Sequence, residues 1–600
     1  MQGRRAEDES LKTYLEVGEL TFALMFICAA AVFLVGFKFY GRFMSETYGL
    51  SNDCETPAVR LYDGIDYCPA HPAVLLGHHF SSIAGAGPIT GPIAAAMVWG
   101  WFPTLIWCMV GSTFLGGPHD MGSLVASLRH DGKSIGEVIE HWMGRTGKIL
   151  FLCFTILTLI LVVAVFLALS VGTFVNDAAV AFVSCLYIGL AVVAGLLMYR
   201  TKLPLWVTTV VMLAIIGYAC VHVSPENTPA LTEAFKHPFS SFVSYLPTTG
   251  LEGDALTAAI KANAAKSTLV WYWVLSIYIL LASILPVWLL LQPRDYLASY
   301  FLYFAVIVGA IGMLFGSHLN SNTIMSYDAS KPLMGLSNVG MWPMLFITVA
   351  CGAISGFHSL VGSGTTAKQL AKEKDSVLVG YGAMLIEGLV AVIALGTLMV
   401  VGKEKAVGLN PVIIFSQGFG RFAELIGCNY ELGVRLGAIA INSFLLTSLD
   451  TATRLTRYEI QEISNMKINK YAATIFAVVA ALLLVVVQAH DVKGNVIPAW
   501  KAIWPVFGSA NQLVAALSLL GISVWVRKGL KKDNKFLTIP FWFMFVTTFC
   551  ALVLMIKSNL IDAAKPNYLL GIMPTILVIL ALALLITSFK NANYMPAEKK

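Results

Sequence analysis

Charge is scarce in this 600-residue sequence: Asp, Glu, Lys and Arg make up 12% of it, against 57% hydrophobic residues. In so apolar a chain the placement of Lys and Arg relative to the apolar runs matters more than the net charge of +6, and no nucleic acid is expected as a partner. A cleavable leader is also missing. The first apolar run begins only after "RRAEDESLK", and Phe37-Lys38-Phe39-Tyr40 follows it where a small-residue cleavage site would stand. The ten cysteines form no disulfide framework, because most stand singly within apolar runs, where Cys behaves as a small hydrophobe. Enzyme signatures are absent as well: there is no HExxH, no GxSxG and no complete dinucleotide fingerprint, and "GFHSLVGSGTT" lacks the lysine of a phosphate loop. An enzyme is not expected, and no cofactor is required.

What the sequence does have is apolar runs of about 20 residues, the length that spans a bilayer core of roughly 30 Å. They fall near 17–37, 75–98, 101–118, 149–171, 178–199, 204–222, 270–291, 299–316, 342–361, 377–400, 433–449, 470–488, 510–526, 538–556 and 569–587. The expected fold is therefore all-α and polytopic, with about 15 transmembrane helices and lipid as its surroundings. Threaded alternately, the loops on one side collect about 25 Lys/Arg against about 14 on the other. The positive-inside rule then puts the N-terminus outside and the C-terminus inside, as in a bacterial inner membrane protein.

One run carries the residues least able to hold a helix. "HHFSSIAGAGPITGP", 78–92, holds Gly85, Gly87 and Gly91 with Pro88 and Pro92. Inside hydrocarbon an unwound backbone survives only where protein or a wet cavity satisfies it, and secondary transporters bind substrates at such breaks. Close packing of small residues is the competing reading. A second interruption, around Ser283 and Pro286 in "LASILPVWLLLQPRDY", lies in a run of opposite direction. Paired breaks suggest two inverted halves of five spans. The expected organisation is 1–74, an N-terminal span and inner loop; 75–222, the first repeat; 223–269, an outer loop; 270–449, the second repeat; and 450–600, additional spans. On this reading the substrate lies between Ala84, Gly85, Ala86, Gly87, Pro88 and Gly91 on one side and Ser283 and Pro286 on the other.

Ionisable groups at membrane depth are costly and hence functional candidates. His79 and His78 open the broken run, Asp120 follows His119 in "GGPHDM", and Glu387 lies in "MLIEGLVAVIAL" with no neutralising neighbour in sequence. Interfacial or helix-end roles compete for the His and Asp pairs. His358, Ser359, Ser363, Thr365 and Thr366 end the run 342–361 as substrate or ion ligands, or as a capped helix end. Arg294 reads as an anchor at an inner helix end, with bidentate pairing to a carboxylate as the competing reading, and Asn511 and Gln512 read as structural.

The motifs "TPAVRLYDGIDYCP", "LLGHHFSSIAGAGPITGP", "ILPVWLLLQPRDYL", "SGFHSLVGSGTT", "TSLDTATRLTRYEIQE" and "IWPVFGSANQLVAALSL" together resemble the bacterial carbon starvation protein A family, in the same order and over nearly the whole chain. The resemblance implies an inner-membrane transporter of peptides or pyruvate made under carbon limitation, with proton coupling in some members and a five-plus-five core. It gives proton-coupled uptake of a small carboxylate nutrient as the expected function. Sodium coupling and a sensor without transport are the alternatives, and the oligomeric state stays open. One region departs from the family pattern. Cys54, Cys68 and His71 share an inner loop, and Cys68-x-x-His71 has ligand spacing for a structural zinc, with unrelated loop residues as the competing reading.

Overall fold

A computed structural model of the chain describes residues 21–64, 66–334, 340–486, 489–490, 496–497, 499–561 and 566–591. Among them, 12 helices are long and apolar enough to cross a membrane: Thr21–Tyr48, Pro72–Trp99, Arg145–Asn176, Ala178–Arg200, Leu205–His222, Gly253–Ile284, Leu291–Phe315, Val377–Val401, Tyr430–Ile463, Trp504–Lys528, Lys535–Ile561 and Leu570–Lys590. The protein is thus an all-helical, multi-pass membrane protein, apart from a two-residue antiparallel pairing of Ala489–His490 with Val496–Ile497.

Each of these helices coincides with one of the apolar runs. The runs at 101–118, 342–361 and 470–488 take other forms. The first becomes Trp101–Gly111, a π-helical turn Ser112–Gly116 and Gly117–Leu128. The second is cut into Met341–Thr348 and Gly356–Gly364, and the third is a 17-residue helix, Lys470–Val486. The run 270–291 also differs. Its helix ends at Ile284, and Pro286 falls in the turn before Leu291–Phe315 rather than inside a span. A residue before proline is pushed out of the α region, and Leu285 at φ −65°, ψ 152° obeys this.

Burial orders the helices. The apolar window of Trp504–Lys528 is 94% buried and that of Pro72–Trp99 83%, whereas those of Thr21–Tyr48 and Leu570–Lys590 are 28% buried. The inner helices are those rich in Gly, Ser, Thr and Asn. The outer ones expose Ile27, Leu34, Val210, Ile277, Leu483 and Ile579, faces that only an apolar surrounding satisfies.

Candidate functional site

The break in Pro72–Trp99 is real. Pro72–Ala84 ends at Gly85, whose φ of +25° and ψ of −157° leave the helical region, and the helix restarts at Gly87–Trp99 with Pro88 in its first turn. Pro at that place needs no amide partner, and only glycine takes such a φ without strain. A second break runs from Val349 to Ser355 between Met341–Thr348 and Gly356–Gly364.

The backbone groups freed there are satisfied by side chains from elsewhere, as hydrocarbon demands. The Val349 carbonyl accepts from Trp107 Nε1 at 3.1 Å and from Gln512 Nε2 at 3.3 Å. Gln512 Nε2 also donates to the Phe346 carbonyl at 2.5 Å, and Ser112 Oγ to that of Gly352 at 3.0 Å. Asn511 Oδ1 accepts the Phe357 amide at 2.9 Å. Asn511 and Gln512 thus hold the second break open.

The two breaks face each other. A Cβ built on Gly87 would overlap Cys351 Sγ and stand 2.5 Å from Cys351 Cβ, and one on Gly91 would stand 2.7 Å from the Thr348 carbonyl oxygen. Ala84, Gly85, Ala86 and Pro88 are buried around this crossing. Ser283 lies elsewhere: its hydroxyl is 3.2 Å from Thr474 Oγ1 and its carbonyl accepts from Arg457.

Beside the crossing, four ionisable residues from three helices join in a row. His119 Nδ1 lies 2.7 Å from Asp120 Oδ1, His358 Nδ1 lies 2.7 Å from Asp120 Oδ2, and His358 Nε2 lies 3.2 Å from Glu387 Oε2. All are buried, with side-chain exposures of 0%. Among the described residues neither acid pairs with Lys or Arg, and both Glu387 oxygens lack an aligned hydrogen bond. His358 Nε2, like both Glu387 oxygens, has no aligned hydrogen bond among the described residues, so the two side chains face each other across 3.2 Å as groups able to take up or hand on a proton. His358 also faces the Ile83 carbonyl, at the end of the first half-helix. His79 reaches the same region through Thr366 Oγ1, 2.8 Å from its Nδ1, while its Nε2 has no partner.

The hydroxyls expected as ligands are mostly engaged in packing. Ser359 Oγ donates to the Gly356 carbonyl at 2.7 Å and meets Ser518 Oγ at 2.9 Å, and Ser363 Oγ donates to the Ser359 carbonyl at 2.7 Å. Thr365 Oγ1 is buried without a partner. Cys54 is exposed, Cys68 is buried, and His71 Nδ1 accepts the Ala73 amide at 3.3 Å as a helix cap. Among the described residues the ligand atoms of one His/Cys/Asp/Glu trio converge within 4.8 Å, and that trio is Cys351, His358 and Glu387.

Sequence reasoning missed a second buried network. Arg294, read as an interfacial anchor, is 0% exposed. Its guanidinium donates to Asp295 Oδ1 (Nε at 2.9 Å, Nη2 at 2.5 Å) and to Tyr278 at 2.7 Å, and it pairs with Asp450. Asp295 also meets His78 Nδ1 at 2.5 Å, and Tyr278 donates to Asp450 at 2.5 Å. His78 and the segment "QPRDY" each signalled polarity at depth, but Asp450 sits 156 positions from Arg294.

Comparison with known proteins agrees with this architecture. The family model described as Carbon starvation protein CstA matches residues 21–426 and 403–551. The peptide transporter CstA of Campylobacter jejuni is 30% identical, aligned over 89% of this chain and 80% of its own length. The peptide transporter CstA of Bacillus subtilis is 30% identical over 94% and 96%, and the pyruvate/proton symporter BtsT of Escherichia coli 30% over 91% and 83%. Among solved structures, a mutant of the Eremococcus coleocola manganese transporter covers 87% of this chain and 93% of its own at a TM-score of 0.43 and 12% identity, a likeness too loose to carry argument. On the family match, with its buried broken-helix core, the chain belongs to the carbon starvation protein CstA family.

Proposed function

We propose that this protein is a secondary active transporter of the bacterial inner membrane that takes up a small carboxylate nutrient, pyruvate or a short peptide, together with protons during carbon starvation. The observation that carries the coupling is the buried row Glu387–His358–Asp120–His119 beside two facing helix breaks. It has proton acceptors, no fixed Lys or Arg counter-ion among the described residues, and a 3.2 Å gap between Glu387 and His358 across which a proton can pass. Glu387 and His358 lie on different helices, and movement of Gly356–Gly364, which follows the second break, relative to Val377–Val401 would change that distance. The relatives named for peptides and for pyruvate with protons support this reading.

On this proposal the substrate binds at the unwound backbone of Ala84–Gly91 and the Val349–Ser355 turn once the two breaks move apart, with lipid around the outer helices. A five-plus-five inverted core and an N-outside, C-inside orientation complete the proposal. The test is uptake into proteoliposomes under imposed gradients. Glu387→Gln should abolish accumulation driven by an inward proton gradient while retaining exchange of labelled for unlabelled substrate. Full proton-driven accumulation by Glu387→Gln would refute this assignment, and accumulation driven by sodium alone in the unmodified protein would refute proton coupling.

A further inference from the structure

Tyr430–Ile463 passes the first break and then carries two arginines. Ser448 Oγ donates to the Ser82 carbonyl at 3.0 Å, and Thr451 Oγ1 lies 3.4 Å from Ser82 Oγ. Arg454 follows six residues after Ser448, about 9 Å along the helix axis, and Arg457 is nearly one turn beyond. Both are almost fully buried, at 1% and 5% exposure.

Part of their task is structural. Arg454 Nη2 donates to the carbonyls of Ala282, at 3.0 Å, and Leu285, and Arg457 Nη1 to that of Ser283 at 2.7 Å, so the pair caps the end of Gly253–Ile284. Capping engages few of the ten N–H donors the two guanidiniums carry. The Nε of each has no partner. Lys368 adds a third cation, its ammonium 4.6 Å from the Tyr458 ring and 5.5 Å from that of Tyr67, while the Arg457 guanidinium stacks at 4.3 Å on the Tyr458 ring.

Among the described residues, one carboxylate faces this group closely. Asp66, on the loop before Pro72–Ala84, accepts from the Tyr458 hydroxyl and lies 3.6 Å from Arg454 Nη1. Glu462 exerts its field on Lys368 from further off. The Asp66 loop is a docked structure. Asp63 Oδ1 accepts the amides of Asp66 and Tyr67, both at 2.9 Å, and the amides of Cys68 and Ala70 donate to the carbonyls of Lys368 and Gln369 at 3.1 and 2.9 Å. Asp66 keeps 27% of its side chain exposed, so it closes the cluster from the solvent side.

We propose that Arg454, Arg457 and Lys368 form a carboxylate-binding vestibule on the path to the helix breaks, and that Asp66 occupies it in this structure as an intramolecular stand-in for the substrate carboxylate. The proposal rests on the carboxylate reading of the substrate and adds where that group is first or last held. Three cations against one near carboxylate leave a surplus of positive charge that a substrate carboxylate can meet in place of Asp66, and Arg is suited to holding it bidentately. An incoming carboxylate displaces Asp66, and the segment from Asp66 to His71, leading directly into the first half-helix, moves with it.

The test is equilibrium binding of labelled pyruvate, and of dialanine, to the full chain in nanodiscs without any gradient. Asp66→Asn, which keeps shape and removes the competitor, should tighten binding about threefold or more; Lys368→Gln and Arg457→Gln should weaken it about tenfold, with Arg457→Lys between. Unchanged binding in Asp66→Asn and Lys368→Gln, the two variants least able to disturb folding, overturns the vestibule. If binding shifts as expected but Glu387→Gln still accumulates substrate on a proton gradient, the proton assignment fails and the vestibule stands. If the unmodified protein binds neither ligand, the carboxylate reading and the vestibule fall together.

Discussion

Substituting Gly87 by alanine adds one methyl group at the point where the two breaks touch. Its Cβ would overlap Cys351 Sγ and stand 2.5 Å from Cys351 Cβ, against about 3.5–4.0 Å for an ordinary carbon–carbon contact. Relief requires roughly 1 Å or more of separation between the half-helices. Overpacking of this kind costs about 1–3 kcal/mol, which is about 5- to 150-fold in any equilibrium between this packed arrangement and one in which the breaks move apart. The variant should insert normally and transport at least fivefold more slowly, measured as initial uptake into proteoliposomes at matched protein density. The second residue sharpens the test. Cys351→Ala keeps the offending Cβ and should not restore uptake, whereas Cys351→Gly in the same background removes both clashes and should. Wild-type uptake by Gly87→Ala, or equal rescue by the two partners, would refute the facing-breaks geometry.

Other outcomes follow from the polar contacts. Arg294→Ala strands Asp295 and Asp450 in the core, and loss of one partner of a buried ion pair costs about 3–5 kcal/mol; thermal unfolding in detergent should show it, with Arg294→Lys less damaging. Asn511→Ala leaves the Phe357 amide without its acceptor, worth about 1–3 kcal/mol, and should lower stability and slow uptake together. Asp66 has a pH signature. Burial raises its carboxyl pKa, but Lys368, the Tyr458 hydroxyl, Arg454 and Arg457 outweigh that and hold it below the usual carboxylate range. A depressed folded pKa means the stabilisation is complete above the unfolded value near 3.9 and is lost as pH falls through the folded one. Unfolding midpoints from pH 7 down to 3 should therefore show an acid-dependent loss that shrinks in Asp66→Asn.

The spans and the first break were legible because both are local signals: twenty apolar residues make a spanning helix, and Gly-Ala-Gly-Pro unmakes one. The second break was not. "VACGAIS" has a single glycine and no proline, and its unwound form depends on Trp107, Ser112, Asn511 and Gln512 supplying partners from distant positions. Proline misled in the other direction, since Pro286 terminates a helix rather than interrupting one. In the candidate site, His79, Asp120, His358 and Glu387 were each visible as polar groups at depth, but their assembly into one region required the fold. Arg294 was read chiefly as an anchor because, of its two acid partners, Asp295 is its neighbour in sequence but Asp450 lies in another helix altogether.

The proton count has an energetic consequence that separates the two substrate classes. Take a proposed cycle of one proton, handed between His358 and Glu387 across their 3.2 Å gap. A singly charged carboxylate entering with one proton moves no net charge, and a pH difference of one unit supplies about 1.4 kcal/mol, or about tenfold accumulation. A zwitterionic peptide entering with one proton moves one positive charge and gains a further 2.3 kcal/mol or so per 100 mV, about fiftyfold. Pyruvate accumulation should therefore be indifferent to an imposed potassium diffusion potential at fixed pH gradient, while dipeptide accumulation should rise with it. Pyruvate uptake that grows with the potential would mean at least two protons per cycle and would refute the one-proton cycle, with His79 and His119 in the same buried region as further carriers.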